Sequence, residues 1–174
     1  MKEMVRYGFT LATICVIASG LLAGVNSITR PRIVAQAQAQ EEAVLEELLP
    51  QAISFKPVKS GEETLYYKGY SQDNQFIGVV FKVSAKGYSS NIETMAGLTQ
   101  DGKITAIKVI SQNDTPGLGS RITEPDFVNQ FSNKYVQDLN QVQAITGATI
   151  SSSAVITSVT QKAGEIKELI QDEK

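Results

Sequence analysis

The chain has 174 residues, 42% of them hydrophobic, and a formal net charge of -2. That suits one modest domain with a membrane segment and gives no basic footprint for nucleic acid. Histidine is absent and Cys15 is the single cysteine. A haem-ligating histidine, a His-containing zinc site, an iron–sulfur cluster, a Ser-His-Asp triad and a disulfide framework are thereby excluded, and no metal site is expected. Any redox chemistry must come from an organic cofactor.

From Tyr7 to Ile28 the chain carries no charged residue, and Arg6 and Arg30 bracket the run. At helical rise this stretch spans about 33 Å, enough for a bilayer core. Thr10, Thr13, Ser19, Gly20, Gly24 and Asn26 make it less apolar than a poly-Leu span, and its small residues suit packing against partner helices. The competing reading is a cleaved signal peptide, but the stretch is long for one, and a retained anchor is expected in contact with lipid. Cys15 reads as a lipid-facing or helix-packing residue. Lys2 and Arg6 on one side balance Arg30 and Arg32 on the other, so charge does not set the orientation.

Ala35 to Leu49 predicts a helix, with Ala39, Val44, Leu45, Leu48 and Leu49 on or near one face and Glu41, Glu42, Glu46 and Glu47 on the other. Pro50 marks its end. Its expected role is to connect the anchor to the domain. The acidic cluster reads as a solvated face.

Between Thr64 and Gln112 the pattern turns strand-like. Leu65–Tyr70 and Phe76–Val83 are rich in β-branched and aromatic residues, with Asp73-Asn74 as a hairpin turn between them. Ile92–Leu98 and Ile104–Ile110 form a second pair, joined through Asp101-Gly102. Alternation in the last of these is imperfect, which fits a sheet covered on much of both faces. Helices are expected at Glu124–Phe131 and Ser151–Ile170. Strands first and helices later predict an α+β domain with an antiparallel-rich sheet and flanking helices. No Gly-rich dinucleotide fingerprint follows the first strand, which disfavours a Rossmann unit. The expected organisation is an N-terminus and transmembrane anchor over 1–30, an amphipathic connector over 31–63 and a ligand-binding domain over 64–174.

Two short segments carry the chemistry. Ile145-Thr146-Gly147-Ala148-Thr149-Ile150-Ser151-Ser152 opens the last helix with a permissive turn and several hydroxyls. Unpaired N–H groups and the helix dipole make such a start a seat for phosphate, and Gly147 and Ala148 let a ligand approach the backbone. Alone, it also reads as an ordinary capped helix start. The second segment is Gln112-Asn113-Asp114-Thr115-Pro116-Gly117-Leu118-Gly119, in which Pro116-Gly117 predicts a type II turn. Such a loop can lie against a flat ring, with Leu118 in apolar contact. Alone, it also reads as a tight connection after a strand.

Thr146-Gly147-Ala148-Thr149 resembles the flavinylation motif of FMN-binding domains, and the whole chain resembles the G subunit of the Rnf electron-transport complex. The resemblance implies that Thr149 is esterified to the FMN phosphate. Thr146, Gly147, Ala148 and Ser152 would then surround that phosphate, while Thr115, Gly117 and Leu118 border the flavin ring. Gln143 stands where the motif has Asp. In the second segment Gln112 replaces a His and Asp114 a Glu, whereas Thr115 through Gly119 match unchanged. Lys86-Gly87-Tyr88-Ser89-Ser90-Asn91-Ile92 resembles a third segment, with two glycines replaced by Ser89 and Ser90. Tyr88 therefore packs near the flavin or is an ordinary buried aromatic.

These resemblances imply a membrane-anchored covalent flavoprotein that relays electrons within an ion-translocating ferredoxin/NAD oxidoreductase complex. They also imply a cytoplasmic N-terminus and a domain outside the inner membrane. The expected partners are the other membrane subunits and a separate flavin transferase, since no independent catalytic constellation is visible. Two other readings stand beside this one: a C-type subunit of sodium-translocating NADH:quinone reductase, and a non-redox extracytoplasmic binding module.

Overall fold

A computed structural model describes residues 2–61 and 63–172. The expected domain limits at residues 1 and 174 lie outside the described residues. The chain divides into two compact units, Met1–Glu42 and Ala43–Lys174.

The first element is one helix, α1, over Lys2–Leu48, with Pro31 inside it. The helix expected over Ala35 to Leu49 is present as the last part of α1, which runs on from the apolar stretch without a break. A proline removes one backbone hydrogen bond and crowds the preceding turn, but it bends a helix as readily as it ends one. The Ala35-Gln36-Ala37-Gln38-Ala39-Gln40 run that follows favours helix. Every residue from Glu3 to Gln40 is exposed, including Phe9, Leu11, Ile14, Leu21, Leu22 and Ile28. An apolar surface exposed all round is what a bilayer span requires, and α1 is long and apolar enough to cross one. The hydroxyls in this stretch bond back to their own helix: Thr10 Oγ1 donates to the Arg6 carbonyl at 3.0 Å and Thr13 Oγ1 to that of Phe9 at 2.9 Å. Such bonding lets a hydroxyl sit in hydrocarbon. Cys15 is exposed there.

In the second unit a five-stranded antiparallel meander runs β1 (Ser54–Ser60), β2 (Glu63–Tyr70), β3 (Phe76–Lys86), β4 (Asn91–Thr99) and β5 (Ile104–Ser111), in that order across the sheet. Four of these strands match those expected from the sequence, and both turns lie where the turn residues place them. Asn74, with φ 58°, and Gly102, with φ 79°, supply the left-handed residues. The strand without a sequence signal is β1, which falls in the expected connector. Its sequence, Ser54-Phe55-Lys56-Pro57-Val58-Lys59-Ser60, is weakly apolar and contains proline. At the sheet edge it pairs with β2 alone, so Pro57 interrupts no ladder on its open side.

Both sheet faces are covered. On one, Val79, Phe81, Ile92, Ala96, Leu98 and Ile104 pack with Phe127, Phe131 and the buried stripe of the last helix, α3 (Thr149–Asp172). That stripe is Val155, Val159, Ala163, Ile166 and Ile170, at spacings of three and four that put them on one helix face. Each buried valine or isoleucine of the stripe contributes roughly 1.5–3 kcal/mol. On the other face Val80 and Met95 pack with Val44, Leu45, Leu48, Leu49 and Ala52. Of the expected apolar face of this segment, Ala39 is exposed and the four larger residues are buried. The end of α1 lies close against the sheet because Gly97 has no side chain. A Cβ there would meet the Leu48 carbonyl oxygen at 2.5 Å and would also meet Thr105 Oγ1. Thr105 Oγ1 donates to that same carbonyl, satisfying one of the open acceptors at the helix end.

Between β5 and α3 the chain forms short turns of 3-10 helix and a four-residue helix, α2 (Pro125–Val128). The helix expected over Glu124–Phe131 is thus α2 followed by a 3-10 turn at Asn129–Phe131, with Phe127 and Phe131 stacked edge to face at 5.4 Å.

Candidate functional site

Two glycine turns face one cleft. In the first, Leu118 N–H donates to the Thr115 carbonyl at 3.2 Å and Gly117 has φ 75°. In the second, Ala148 N–H donates to the Ile145 carbonyl at 2.9 Å and Gly147 has φ 84°. Each is a four-residue turn with a left-handed glycine third, the arrangement of a type II turn, which glycine adopts at no steric cost. The second turn feeds directly into α3.

The helical hydrogen-bond ladder of α3 starts at the Ala148 carbonyl, which accepts from Ser152 N–H at 2.9 Å. Ala148 is therefore the N-cap, and its methyl group offers no acceptor to the first turn. The N–H groups of Thr149, Ile150 and Ser151 are left without intrahelical partners, the usual condition of an anion seat. Thr149 is exposed at the first helical position.

The cleft has a volume of about 480 Å³ and is lined by Tyr88, Thr115, Leu118, Gly119 and the segment 147–151. None of these lining residues carries a charge. Its rim is apolar and open to solvent: Tyr88 is 66% exposed, Leu118 49% and Ile150 56%. Large apolar side chains gathered around a concavity mark a surface built to be covered. Tyr88 is thus a cleft residue; the ordinary buried aromatic is overturned by its exposure.

Behind this rim lies Asp114, 4% exposed. Its carboxylate accepts from the backbone N–H groups of Tyr88 at 3.1 Å, Ser89 at 2.8 Å and Ser90 at 3.0 Å, and from Ser151 Oγ at 2.5 Å. Burial pushes the carboxyl up, but the hydrogen bonds from Ser151, Ser89, Ser90 and Tyr88 outweigh it and hold the group at about 2. In the sequence Asp114 stands out as a departure from a motif, with no part in the site. An acidic residue beside a glycine turn was the available signal.

Of the residues expected to hold a cofactor, Thr149, Gly147, Ala148, Thr115 and Leu118 line the cleft together. Gly117 sits in the adjoining turn. Ser152 is buried: its hydroxyl donates to the Ala148 carbonyl at 2.9 Å and accepts from Ile145 N–H at 3.1 Å, so it braces the turn from inside. Thr146 lines a neighbouring recess of about 250 Å³ with Arg121, Glu124, Gln130 and Gln143. There the Gln130 side chain clamps the Gln143 backbone, accepting its N–H at 2.9 Å and donating to its carbonyl at 3.4 Å.

Residues 87–163 match the model of the FMN-binding domain family, and residues 1–48 match that of the RnfG N-terminal region. The G subunit of the ion-translocating oxidoreductase complex of Methanosarcina acetivorans is 36% identical, over 91% of this chain and 92% of that one. The G subunit of the proton-translocating ferredoxin:NAD(+) oxidoreductase complex of Clostridium ljungdahlii is 32% identical, over 90% and 88%. Among solved structures the chain is similar to NqrC of Shewanella oneidensis, with a TM-score of 0.48, 18% identity and coverage of 70% and 74%. The family match makes the domain that holds this cleft an FMN-binding domain, and α1 is long and apolar enough to cross a membrane. The chain belongs to the family of G subunits of ion-translocating oxidoreductase complexes.

Proposed function

We propose that the chain carries FMN as a phosphoester on Thr149 Oγ1 and relays electrons within an ion-translocating ferredoxin/NAD oxidoreductase complex. The carrying observation is the position of Thr149: an exposed hydroxyl at the first residue of α3, in an apolar-rimmed cleft, beside three open N–H donors.

The cleft fits the group. The planar ring has Tyr88, Leu118 and Ile150 to cover, and the phosphate has the start of α3. The lining also favours a covalent tether. Free FMN ends in a phosphate monoester of nearly two negative charges, and no Lys or Arg lines the cleft to balance them. Esterification leaves one charge, which helix N–H groups can hold, and it converts retention from an equilibrium into a bond. When bound, the flavin supplies the electron acceptance and donation. The chain's own residues supply attachment at Thr149, a backbone cradle at 147–151, and an apolar rim that limits water at the ring edge.

Ester formation breaks the threonyl O–H bond and a P–O bond of the flavin donor and forms a threonyl O–P bond. The donor's leaving group departs with the threonyl proton, so the modified chain gains FMN less one water. No residues for that activation are grouped at the cleft, and a separate flavin transferase is its source. The other subunits of the complex supply the electron donor and acceptor, and α1 places the chain in the inner membrane among them. A domain on the extracytoplasmic side gives the tether a reason, because a cofactor that dissociated there would be lost.

The test is intact-mass analysis of the denatured full chain, co-expressed with a flavin transferase and followed by peptide mapping. FMN less one water on the peptide holding Thr149, and none on Thr149→Ala, is the expected result. Flavin persisting on the denatured Thr149→Ala chain would make another hydroxyl the acceptor. An unmodified chain beside a labelled control substrate would overturn the covalent reading and favour a non-redox binding module.

A further inference from the structure

We propose that Asp114 is the positioning residue of the cleft, a single buried carboxylate that joins its three walls. The inference rests on the reading of this cleft as a flavin seat. The walls come from separate parts of the chain: the Gly87–Ser90 loop after β3, the Asp114–Gly119 loop after β5, and the first turn of α3. Asp114 belongs to the second and bonds to both of the others, through three backbone N–H groups and the Ser151 hydroxyl.

The surroundings are shaped around this carboxylate. A Cβ on Gly119 would lie 2.6 Å from Asp114 Cβ and 3.1 Å from Ser151 Oγ. A Cβ on Gly87 would run into Asp114 Oδ2 and come within 2.6 Å of Ile92 Cδ1. Both glycines therefore keep clear the space through which the carboxylate meets its donors. The aspartate is itself oriented from behind, since its N–H donates to Gln112 Oε1 at 2.9 Å. Ser90 Oγ accepts from Asn113 N–H at 2.8 Å, which adds a second tie between the two loops.

Chemistry dictates an ionised carboxylate here. Four donors converge on two oxygens, and an ionised carboxylate is acceptor-only with about four lone-pair sites. An asparagine offers one oxygen, and its amide would turn N–H bonds toward backbone N–H groups that can only donate. An apolar replacement would leave three backbone N–H groups buried or dependent on water. The negative charge also sits next to the N-terminus of α3, where the helix dipole favours it. What Asp114 positions is Tyr88 on one side of the cleft and the Thr149–Ser151 turn on the other. The separation of ring contact from attachment point is thereby set by one residue that need not touch the cofactor.

The test uses the full chain in detergent micelles, with Asp114→Asn, Ser151→Ala and a stability control, Val159→Ala, which trims the α3 core away from the cleft. Amide hydrogen exchange is followed by mass spectrometry, and the attached flavin by circular dichroism in the visible range. In Asp114→Asn, exchange in 87–90 rises by at least about tenfold, the equivalent of losing one charge-assisted hydrogen bond. Ser151→Ala, which removes one donor of four, gives a smaller rise in the same loop. The flavin dichroism changes in Asp114→Asn and stays as in the wild type in Val159→Ala.

Unchanged exchange in 87–90, or an equal rise in Val159→Ala, would overturn the proposal. So would a loosened loop with unaltered flavin dichroism, because Asp114 would then hold the fold without positioning the cleft. Should Asp114→Asn fail to fold, the same comparison between Ser151→Ala and Val159→Ala decides the matter. An absence of flavin on wild-type Thr149 would end the flavin reading, and loop exchange alone would still decide whether Asp114 joins the walls.

Discussion

Acid should weaken the folded domain through Asp114 by an amount that the structure bounds. The folded group titrates at about 2 and the free side chain at 3.8. Between those values the unfolded chain binds the proton and the folded chain does not, so stability falls as pH falls. The contribution is fully present above roughly pH 5 and is lost as pH drops through the unfolded value to the folded one. A gap of nearly two units corresponds to roughly 2 kcal/mol. Other carboxylates titrate over the same range, so the assay compares wild type with Asp114→Asn in urea melts of the full chain in micelles at fixed ionic strength. With no tryptophan in the chain, far-ultraviolet dichroism reports unfolding. The variant is less stable near neutrality by about 2 kcal/mol or more, and the gap between the two narrows by about 1.5 kcal/mol between pH 6 and about pH 2.5, where the folded carboxyl is still mostly ionised. A gap that stays constant with pH would refute the reasoning, because it would mean that the folded carboxyl is not held ionised by its four donors.

Other parts of the domain give further expected outcomes. Gly97→Ala places a methyl group against the Leu48 carbonyl and Thr105 Oγ1, and costs about 1–3 kcal/mol as overpacking, read as a lower melting temperature and faster proteolysis after Leu48. Thr94 Oγ1 is buried with no hydrogen-bond partner among the described residues, so Thr94→Val raises stability by about 1 kcal/mol in the same melts. Leu118→Ala leaves the flavin mass on Thr149 unchanged and alters flavin fluorescence, since Leu118 is an exposed rim residue with no part in attachment; loss of the mass would contradict its assignment to the ring. Gln143→Asp restores the motif's acidic residue and increases the labelled fraction under limiting transferase; equal occupancy would remove any role for that position.

Much of this architecture is legible in the chain itself. Twenty-three uncharged residues between Arg6 and Arg30 predict a bilayer span from length and solvation alone, because a backbone in hydrocarbon must close its own hydrogen bonds. The Asn74 and Gly102 turns predict the two hairpins, since few residues accept a positive φ. The apolar-periodic segment Ser151–Ile170 predicts the helix α3. These are local signals, and local energetics decide them. The β1 strand escaped because a strand with Pro57, Lys56 and Lys59 is stabilised by its partner β2 more than by its own composition. Periodicity also marks Val44, Leu45, Leu48 and Leu49 as an apolar face, but it does not tell that this face meets the sheet, or that Gly97 is open beneath Leu48.

At the site the division is sharper. Thr149, Gly147 and the Thr115–Gly119 loop are visible as sequence, because phosphate seats and type II turns require particular residues at fixed spacing. That Ser152 turns inward to brace its own turn, while Thr146 faces a different recess, follows from side-chain direction on a folded helix start. Asp114 carries the clearest case. Its donors lie 24 to 37 residues away in the chain, and its pKa depends on burial and on where those donors end up. Sequence by itself determined the bilayer-length apolar helix, the α+β pattern and the glycine turn that opens α3, whose causes act over a few neighbouring residues. Tertiary structure alone decided which groups share the cleft and which carboxylate holds it together, because those depend on distances that the folded chain sets.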